Sequence, residues 1–411
     1  MSMKLNSLLK TQLSILMFLE FFIWGAWYVT MSTYLDKSLG ASQFEIGAAY
    51  SALAIATIIS PFFVGMIADR FFQAQNVLGV LHTAGAFILY AITMVHSPGA
   101  FYWVLLAYSL LYAPTLALAN SVAFNQMSDP GKQFPMVRVF GTLGWIATGW
   151  FIDRVFRISP EHFGATFTMA AAASLVLGIF SFTLPKTPAK AKSEPITFGQ
   201  ILGKDALVLL KDRSYLVFFI ASILICIPLS FYYSLANQYL IDAGMHNATS
   251  NMTFGQISEG IFILLIPYLI KRIGIKNMIL LGMFAWTARF LCFAYGNAGT
   301  LVWMLFLGII LHGVCFDFFF VTGQIYTETK AGPKIKNAAQ GMITMATYGI
   351  GMWIGTLLSG QVSQVFSSGI RHYWRSIWLV PAAIALAVAF FFMGTFKDRV
   401  LPSNTMETPA L

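Results

Sequence analysis

Six charged side chains fall inside long apolar stretches of the chain. They are Glu20, Arg138, Glu259, Arg289, Asp317 and Glu328. A charge at the centre of a membrane helix costs about 2.5 to 3.5 kcal/mol on insertion scales, so each is a candidate for function. Two chemistries would use such groups: binding of a polar ligand and carriage of a proton. Glu328 stands close to Lys330 near the end of its stretch, which is typical of a solvated end group.

A first candidate ligand face consists of Arg138, Thr142 and Trp145, which follow i, i+4, i+7 spacing. That spacing places a guanidinium, a hydroxyl and an indole on one side of a helix. Together these groups suit a polar ligand that carries a ring. The alternative is that Arg138, close to the start of its stretch, is only a juxtamembrane basic residue.

A second candidate face carries Gln256 and Glu259 in an otherwise apolar stretch. A carboxamide beside a carboxylate can bind several donors of a sugar or a base. The alternative is a buried hydrogen-bonded pair that fixes helix packing. In the preceding stretch, Ser230, Tyr233 and Asn237 also share one helix face.

Three carboxylates are candidates for carrying a proton. Asp317 lies among aromatic residues, where a desolvated carboxylate without a partner favours its neutral form. The alternative is an ion pair with Arg289 or another basic group, which would make Asp317 structural. Glu259 is the second candidate. Glu20, which shares a face with Trp24, is either a third titratable group or a carboxylate tied to a neighbouring helix.

The composition determines which class of protein positions these groups. Of the 411 residues, 58% are apolar and only 10% are charged, whereas soluble domains carry about a quarter charged residues. Runs of about twenty apolar residues exclude the short alternating strands of a membrane barrel. We therefore predict an all-α integral membrane protein with twelve spans. They cover about 13–35, 44–68, 77–95, 101–123, 136–156, 163–184, 215–241, 253–272, 276–295, 301–328, 335–366 and 376–396.

The distribution of basic residues predicts the orientation. With both termini in the cytoplasm, about eighteen lysines and arginines lie inside and about five outside, as the positive-inside rule requires. The net charge of +9 is then a topological bias, and no nucleic-acid partner is expected.

The spans are divided into two halves by a polar segment rich in proline and lysine. We predict an N-terminal six-helix half over 1–184, a cytoplasmic linker over 185–214, a C-terminal six-helix half over 215–396 and a cytoplasmic tail over 397–411. Repeated halves are the usual plan of secondary transporters, which hold the substrate near the bilayer midplane.

Several stretches resemble the nucleoside:proton symporter family of the major facilitator superfamily. They are FFIWGAWYVTMSTYL at 21–35, FPMVRVFGTLGW at 134–145, GQISEGIFILLIPYLIKRIGIKNMI at 255–279, HGVCFDFFFVTGQIY at 312–326 and AAQGM at 338–342. GMIADRF at 65–71 resembles the loop signature of the superfamily, with Phe in place of the expected glycine. The resemblance covers nearly the whole chain. It implies the major facilitator fold and import of nucleosides by proton symport through alternating access across a bacterial inner membrane.

The resemblance also assigns residues. It implies substrate contacts by Arg138, Thr142, Gln256 and Glu259, and by Trp145 where the family often has Phe. Phe316 and the residue at 312 match positions that line the ligand site, with His312 in place of a Tyr.

Two positions depart from the family pattern. Ser230 and Tyr233 stand where carboxamides are expected, and Asn237, one turn further on, could compensate. The ligand could therefore be a different nucleoside or a related glycoside.

Other classes fit the sequence less well. No HExxH, GxSxG or P-loop motif occurs and the six histidines are scattered, so neither an enzyme nor a metal site is predicted. The two-halves plan favours a carrier over a channel. We expect a monomer in the lipid bilayer that uses the proton gradient and no cofactor. The alternatives that stay open are a carrier for another polar glycoside or sugar, and a facilitative uniporter.

Overall fold

The structure is a computed structural model that describes residues 7–63, 72–188, 204–369 and 371–397. The chain divides into two compact units, Met1–Thr197 and Phe198–Leu411. The predicted cytoplasmic tail over 397–411 lies outside the described residues after position 397, and two other sequence predictions fall wholly or partly outside them. They are the GMIADRF stretch at 65–71 and residues 189–203 of the linker.

The first unit is built from helices joined by short connections. They are α1 (Ser7–Tyr28), α2 (Met31–Leu39), α3 (Gln43–Phe63), α4 (Ala74–Ile92), α5 (Pro98–Asn125), α6 (Pro130–Trp150) and α7 (Gly164–Ser181). The start of α5 follows from its sequence, because the Ser97 hydroxyl accepts a hydrogen bond from the Ala100 N–H at 3.4 Å and Pro98 occupies the first turn. A π-helical turn at Phe151–Val155 extends α6.

The second unit repeats this helical construction. Its helices are α8 (Arg213–Asp242), α9 (Ala248–Met252), α10 (Phe254–Tyr295), α11 (Val302–Phe316), α12 (Thr322–Thr344), α13 (Met352–Val365) and α14 (Trp374–Thr395). π-helical turns at Asp317–Val321 and Met345–Gly351 join α11 to α12 and α12 to α13. A two-stranded antiparallel ribbon of β1 (Ser367–Ser368) and β2 (Arg371–His372) lies between α13 and α14.

Ten helical segments of the described chain are long and apolar enough to cross a membrane. One of them, Ala248–Tyr295, has 48 residues and contains the predicted spans 253–272 and 276–295. Gly274 lies between the two with φ 76°, a left-handed conformation that interrupts the helix where the sequence predicted a boundary. The predicted span 136–156 is helical in α6 but is not one of the ten segments, since arginine, threonine and glycine dilute its apolar residues. Twelve spans and cytoplasmic termini therefore stay predictions.

Small residues bring together the helices that carry the candidate site. In the first unit, Gly144 of α6 packs directly on the Phe18 carbonyl of α1. In the second unit, Gly313 of α11 packs on Ser258 of α10, where an added Cβ would lie 2.5 Å from the Ser258 carbonyl carbon. Such contacts allow two backbones to approach without intervening side chains, as is usual between membrane helices.

Candidate functional site

The N-terminal ligand face, defined as Arg138, Thr142 and Trp145, lies on one side of α6, and all three side chains are half-buried. The guanidinium carbon of Arg138 is 4.0 Å from the ring centroid of Phe21 on α1, a cation–π contact. The Trp145 ring packs edge to face on Trp24 at 5.4 Å between centroids. The face predicted from spacing is therefore formed, and α1 completes it with two aromatic rings.

Glu20 of α1 is fully buried and bound by two other helices. Its Oε2 lies 2.9 Å from Nε2 of His82 on α4, and its Oε1 accepts a hydrogen bond of 2.6 Å from the Thr115 hydroxyl of α5. The Tyr112 hydroxyl donates to the Glu20 carbonyl at 2.8 Å. Of the two roles considered for Glu20, the tie to neighbouring helices is realised.

The C-terminal cluster, defined as Tyr233, Gln256, Glu259, His312 and Phe316, is carried by three helices of the second unit. The side chain of Glu259 is 26% exposed, and its Oε2 lies 3.9 Å from Nε2 of the buried His312. Gln256 is half-buried on the preceding turn of α10. Phe316 lies 5.6 Å from the His312 ring. The cluster thus combines carboxylate, carboxamide, imidazole and aromatic groups from α10 and α11 with the Tyr233 ring of α8.

His312 is held in one tautomer by Arg289. Nη1 of Arg289 lies 3.0 Å from Nδ1 of His312, and a guanidinium can only donate. Nδ1 therefore accepts, and the ring hydrogen is carried by Nε2, the atom that faces Glu259. The Arg289 guanidinium carbon also lies 3.4 Å from the ring centroid of Tyr232, so an aromatic ring stabilises this buried cation.

Asp317 follows this cluster at the start of a π-helical turn and is fully buried. Neither of its carboxylate oxygens has a hydrogen-bond partner among the described residues. The predicted alternative, an ion pair with Arg289, is not formed: Nη1 of Arg289 is directed to His312, while its Nε and Nη2 and both Asp317 oxygens have no hydrogen-bond partner among the described residues. π-helical turns inside helices frequently occur at functional sites.

The predicted ligand residues of α8, Ser230, Tyr233 and Asn237, contact different neighbours. The Ser230 hydroxyl donates to its own helix, at the Cys226 carbonyl, and Ser230 packs against Gly355 of α13. The Asn237 amide donates to the Thr249 hydroxyl of α9 at 3.2 Å. Of the three, only Tyr233 belongs to the C-terminal cluster: its ring is edge-on to the His312 imidazole, with 6.5 Å between the ring centroids.

His82 is a polar group of the site region that the sequence interpretation missed. It is an isolated histidine in the apolar stretch 77–95, and such a side chain could have been included among the membrane-embedded titratable groups. Its partner is 62 residues away in the chain, so its pairing could not be inferred from spacing. Among the described residues, no three His, Cys, Asp or Glu side chains are grouped as a metal site requires.

Comparison with known proteins identifies the family. The sequence model described as "Nucleoside H+ symporter" matches residues 7–400. The chain belongs to the nucleoside:proton symporter family. The resemblance stated from the sequence motifs is thereby confirmed, and so are the prediction of a transporter and the rejection of an enzyme.

Relatives of this symporter support the assignment over nearly full length. It is 44% identical to the putative nucleoside transporter YegT of Escherichia coli K12 over 94% of this chain and 93% of that protein. It is 34% identical to the nucleoside permease NupG of the same organism over 95% and 96% of the two chains. The xanthosine permease of E. coli K12 is also 34% identical, over 94% and 95%.

Solved structures confirm the fold of the symporter. The crystal structure of the nucleoside transporter NupG matches with a TM-score of 0.86 at 34% identity and covers 95% of this chain and 100% of that one. The POT family transporter PepTSo, at 14% identity, matches with a TM-score of 0.68 over 94% and 97% and shares the fold alone. The chain is therefore an all-helical membrane transporter of the major facilitator type.

Proposed function

We propose that this symporter imports nucleosides together with protons across a bacterial inner membrane by alternating access between its two halves. It would act as a monomer with twelve spans and both termini in the cytoplasm, and would use the proton gradient without a cofactor. The observation that carries the proposal is the C-terminal cluster, in which a partly exposed carboxylate and a tautomer-fixed imidazole lie beside the unpartnered Asp317.

The C-terminal cluster has groups suited to both parts of a nucleoside. The Glu259 carboxylate can accept hydrogen bonds from ribose hydroxyls, and Gln256 can both donate and accept. Phe316 and Tyr233 offer aromatic rings on which a base can stack. We also propose substrate contacts by the N-terminal ligand face, through the Arg138 guanidinium, the Thr142 hydroxyl and the Trp145 indole.

The residues of α8 support a narrower substrate-binding role than the sequence suggested. Tyr233 adjoins the C-terminal cluster, whereas Ser230 and Asn237 have their polar groups engaged inside the second unit. For Ser230 and Asn237 we retain substrate binding as a proposal that requires these hydrogen bonds to rearrange.

We assign Asp317 as the principal proton carrier and Glu259 mainly as a ligand contact. A buried carboxylate without a partner favours the protonated form, so loading and release of a proton follow from a change in its surroundings. Glu259 lies close to the ligand groups, so substrate binding there and protonation influence each other reciprocally. Glu20 is the third candidate for the proton carrier. A facilitative uniporter, or a carrier for another glycoside or sugar, is the alternative that the experiment must exclude.

A thermal-shift screen of the purified protein tests the substrate class. We expect nucleosides to raise the unfolding temperature more than free bases, pentoses or disaccharides, because only they carry both a ribose for Glu259 and a base for the aromatic rings of the C-terminal cluster. A ligand at one hundred times its dissociation constant stabilises by about 2.7 kcal/mol. Glu259→Gln should abolish the shift, while Glu328→Gln, at an exposed carboxylate of α12, should retain it. A larger shift with a disaccharide than with any nucleoside would contradict the proposal.

A further inference from the structure

The hydrogen bonds around His82 determine where its first proton lies. The Ser174 hydroxyl of α7 donates its single hydrogen to the His82 carbonyl at 2.9 Å. The same oxygen lies 3.2 Å from Nδ1 of His82, so it can only accept there. Nδ1 therefore carries a hydrogen, and the imidazole is oriented with Nε2 toward Glu20.

The Thr115 hydroxyl lies 2.6 Å from both Oε1 of Glu20 and the Tyr112 carbonyl, and it can donate to only one of them. When it donates to Glu20, a second proton must lie between Nε2 of His82 and Oε2 of Glu20. The two atoms are 2.9 Å apart, and without a hydrogen between them both would be acceptors. The pair is consequently either an imidazolium with a carboxylate or a neutral imidazole with a carboxylic acid. Both descriptions contain the same shared proton and no net charge. Loss of that proton would leave a buried negative charge facing a nitrogen lone pair.

Further ionisable groups lie in the helices around the pair. The groups near Glu20 that can titrate are His82 of α4 and two tyrosines of α5, Tyr108 and Tyr112. Arg138 of α6 acts on Tyr112, and α7 contributes the neutral Ser174 hydroxyl.

We propose that Glu20 and His82 form a second proton site, in the N-terminal half, which is loaded and released once in each transport cycle. The protein would then carry two protons per nucleoside, one on this pair and one on Asp317. Each proton is taken from water on one side of the membrane and returned to water on the other. This inference rests on the function proposed above and adds its stoichiometry.

The position of the pair connects it to the N-terminal ligand face. Trp24 lies one helical turn after Glu20 on α1 and contacts both Trp145, at 5.4 Å, and Tyr112, at 6.3 Å between ring centroids. Tyr112 is hydrogen-bonded to the Glu20 carbonyl. A change in protonation that moves Glu20 would thus move the aromatic ring against which the ligand face is packed.

The test measures the number of protons coupled to each nucleoside. Wild-type protein is reconstituted in proteoliposomes, with the membrane potential clamped at zero by potassium and valinomycin. The radiolabelled probe is uridine, adenosine or xanthosine, whichever gives the largest thermal shift. At a fixed pH difference, one determines the ratio of internal to external nucleoside at which net flux is zero. Each coupled proton multiplies this ratio by about ten per pH unit.

We expect a balancing ratio of about one hundred per pH unit for the wild type and about ten for Glu20→Gln. Glutamine can accept from Thr115 and donate to Nε2 of His82, so it preserves the hydrogen bonds without a shared proton. The matched control is Thr166→Val, which removes the buried 2.9 Å hydrogen bond to Thr30 in the same half but no titratable group. It should keep the wild-type ratio.

Several results would overturn the inference. A wild-type ratio of about ten excludes a second coupled proton while leaving proton symport intact. An unchanged ratio of about one hundred in a folded Glu20→Gln protein places the second proton on another group, and so also overturns the inference. If Glu20→Gln fails to fold, a wild-type ratio of about ten still overturns the inference, and His82→Gln, which removes the other group of the pair, tests the assignment in its place. A purely structural role for the pair would slow transport in Glu20→Gln without moving the balancing ratio. A wild-type ratio of one would instead refute symport itself, and with it both proposals.

Discussion

Gly313→Ala should weaken nucleoside binding by moving the two helices of the C-terminal cluster apart. A Cβ at this position would lie 2.5 Å from the Glu259 backbone nitrogen and 2.6 Å from the Ser258 hydroxyl oxygen, whereas ordinary contact begins at 3.4 Å. α11 must therefore retreat from α10 by about 0.9 Å. The retreat lengthens the 3.1 Å hydrogen bond from the Gly313 N–H to Ser258 and the 3.9 Å approach of His312 to Glu259.

The expected size of the effect follows from these contacts. Overpacking of a well-filled contact costs about 1 to 3 kcal/mol of stability. Loss of one hydrogen bond between the ligand and the Glu259 carboxylate costs about 1.5 to 3 kcal/mol of binding free energy. Since about 1.4 kcal/mol is a factor of ten, the dissociation constant should rise roughly ten- to hundredfold.

Equilibrium binding of a labelled nucleoside to purified protein measures this change. The matched control is Gly260→Ala, on the same helix as Glu259, where an added Cβ meets nothing within 4 Å. This variant should bind as the wild type does. Unchanged affinity in a folded Gly313→Ala protein, or an equal loss in both variants, would refute the argument that the helix contact positions the cluster.

Three further predictions concern coupling, selectivity and pH. Asp317→Asn should lower the nucleoside accumulation that a pH gradient drives in proteoliposomes but retain counterflow; undiminished accumulation would remove Asp317 from the coupling role. Tyr233→Asn alone should change the profile of competition among nucleosides, and an unchanged profile would exclude Tyr233 from substrate selection. Ser230→Gln should instead destabilise the protein, because the Ser230 side chain packs against Gly355 and leaves no room for a larger one. The Lys330 ammonium donates a 2.9 Å hydrogen bond to the Asp212 carboxylate and lowers its pKa. The pair therefore stabilises the folded protein above about pH 4, by at most about 1 kcal/mol, and this contribution is lost as the pH falls further. Thermal melts of Asp212→Asn should therefore depend less on pH below about 4.5 than those of the wild type, and equal dependence would contradict the assignment.

Helical periodicity and apolar runs were sufficient to predict much of the fold. The spacing of Arg138, Thr142 and Trp145 predicted one face of α6, and the structure forms that face. The predicted break between 272 and 276 coincides with the left-handed Gly274. These features depend on residues within a few turns of one another, which a sequence displays directly.

Contacts between distant helices could not be predicted in the same way. Ser230, Tyr233 and Asn237 share a helix face by spacing, but that face is wide enough to meet different neighbours, and only Tyr233 reaches the C-terminal cluster. Opposite charge suggested an ion pair between Arg289 and Asp317. The structure pairs Arg289 instead with an aromatic ring and an imidazole, an arrangement that depends on the packing of three helices.

Proton-driven accumulation of a nucleoside tests the central claim most directly. Purified protein in proteoliposomes should concentrate a labelled nucleoside above the external level when the outside is more acidic, and should release the excess when a protonophore is added. The same vesicles without a pH difference should only equilibrate. Equal final concentrations with and without the gradient would contradict proton symport and identify a facilitative carrier.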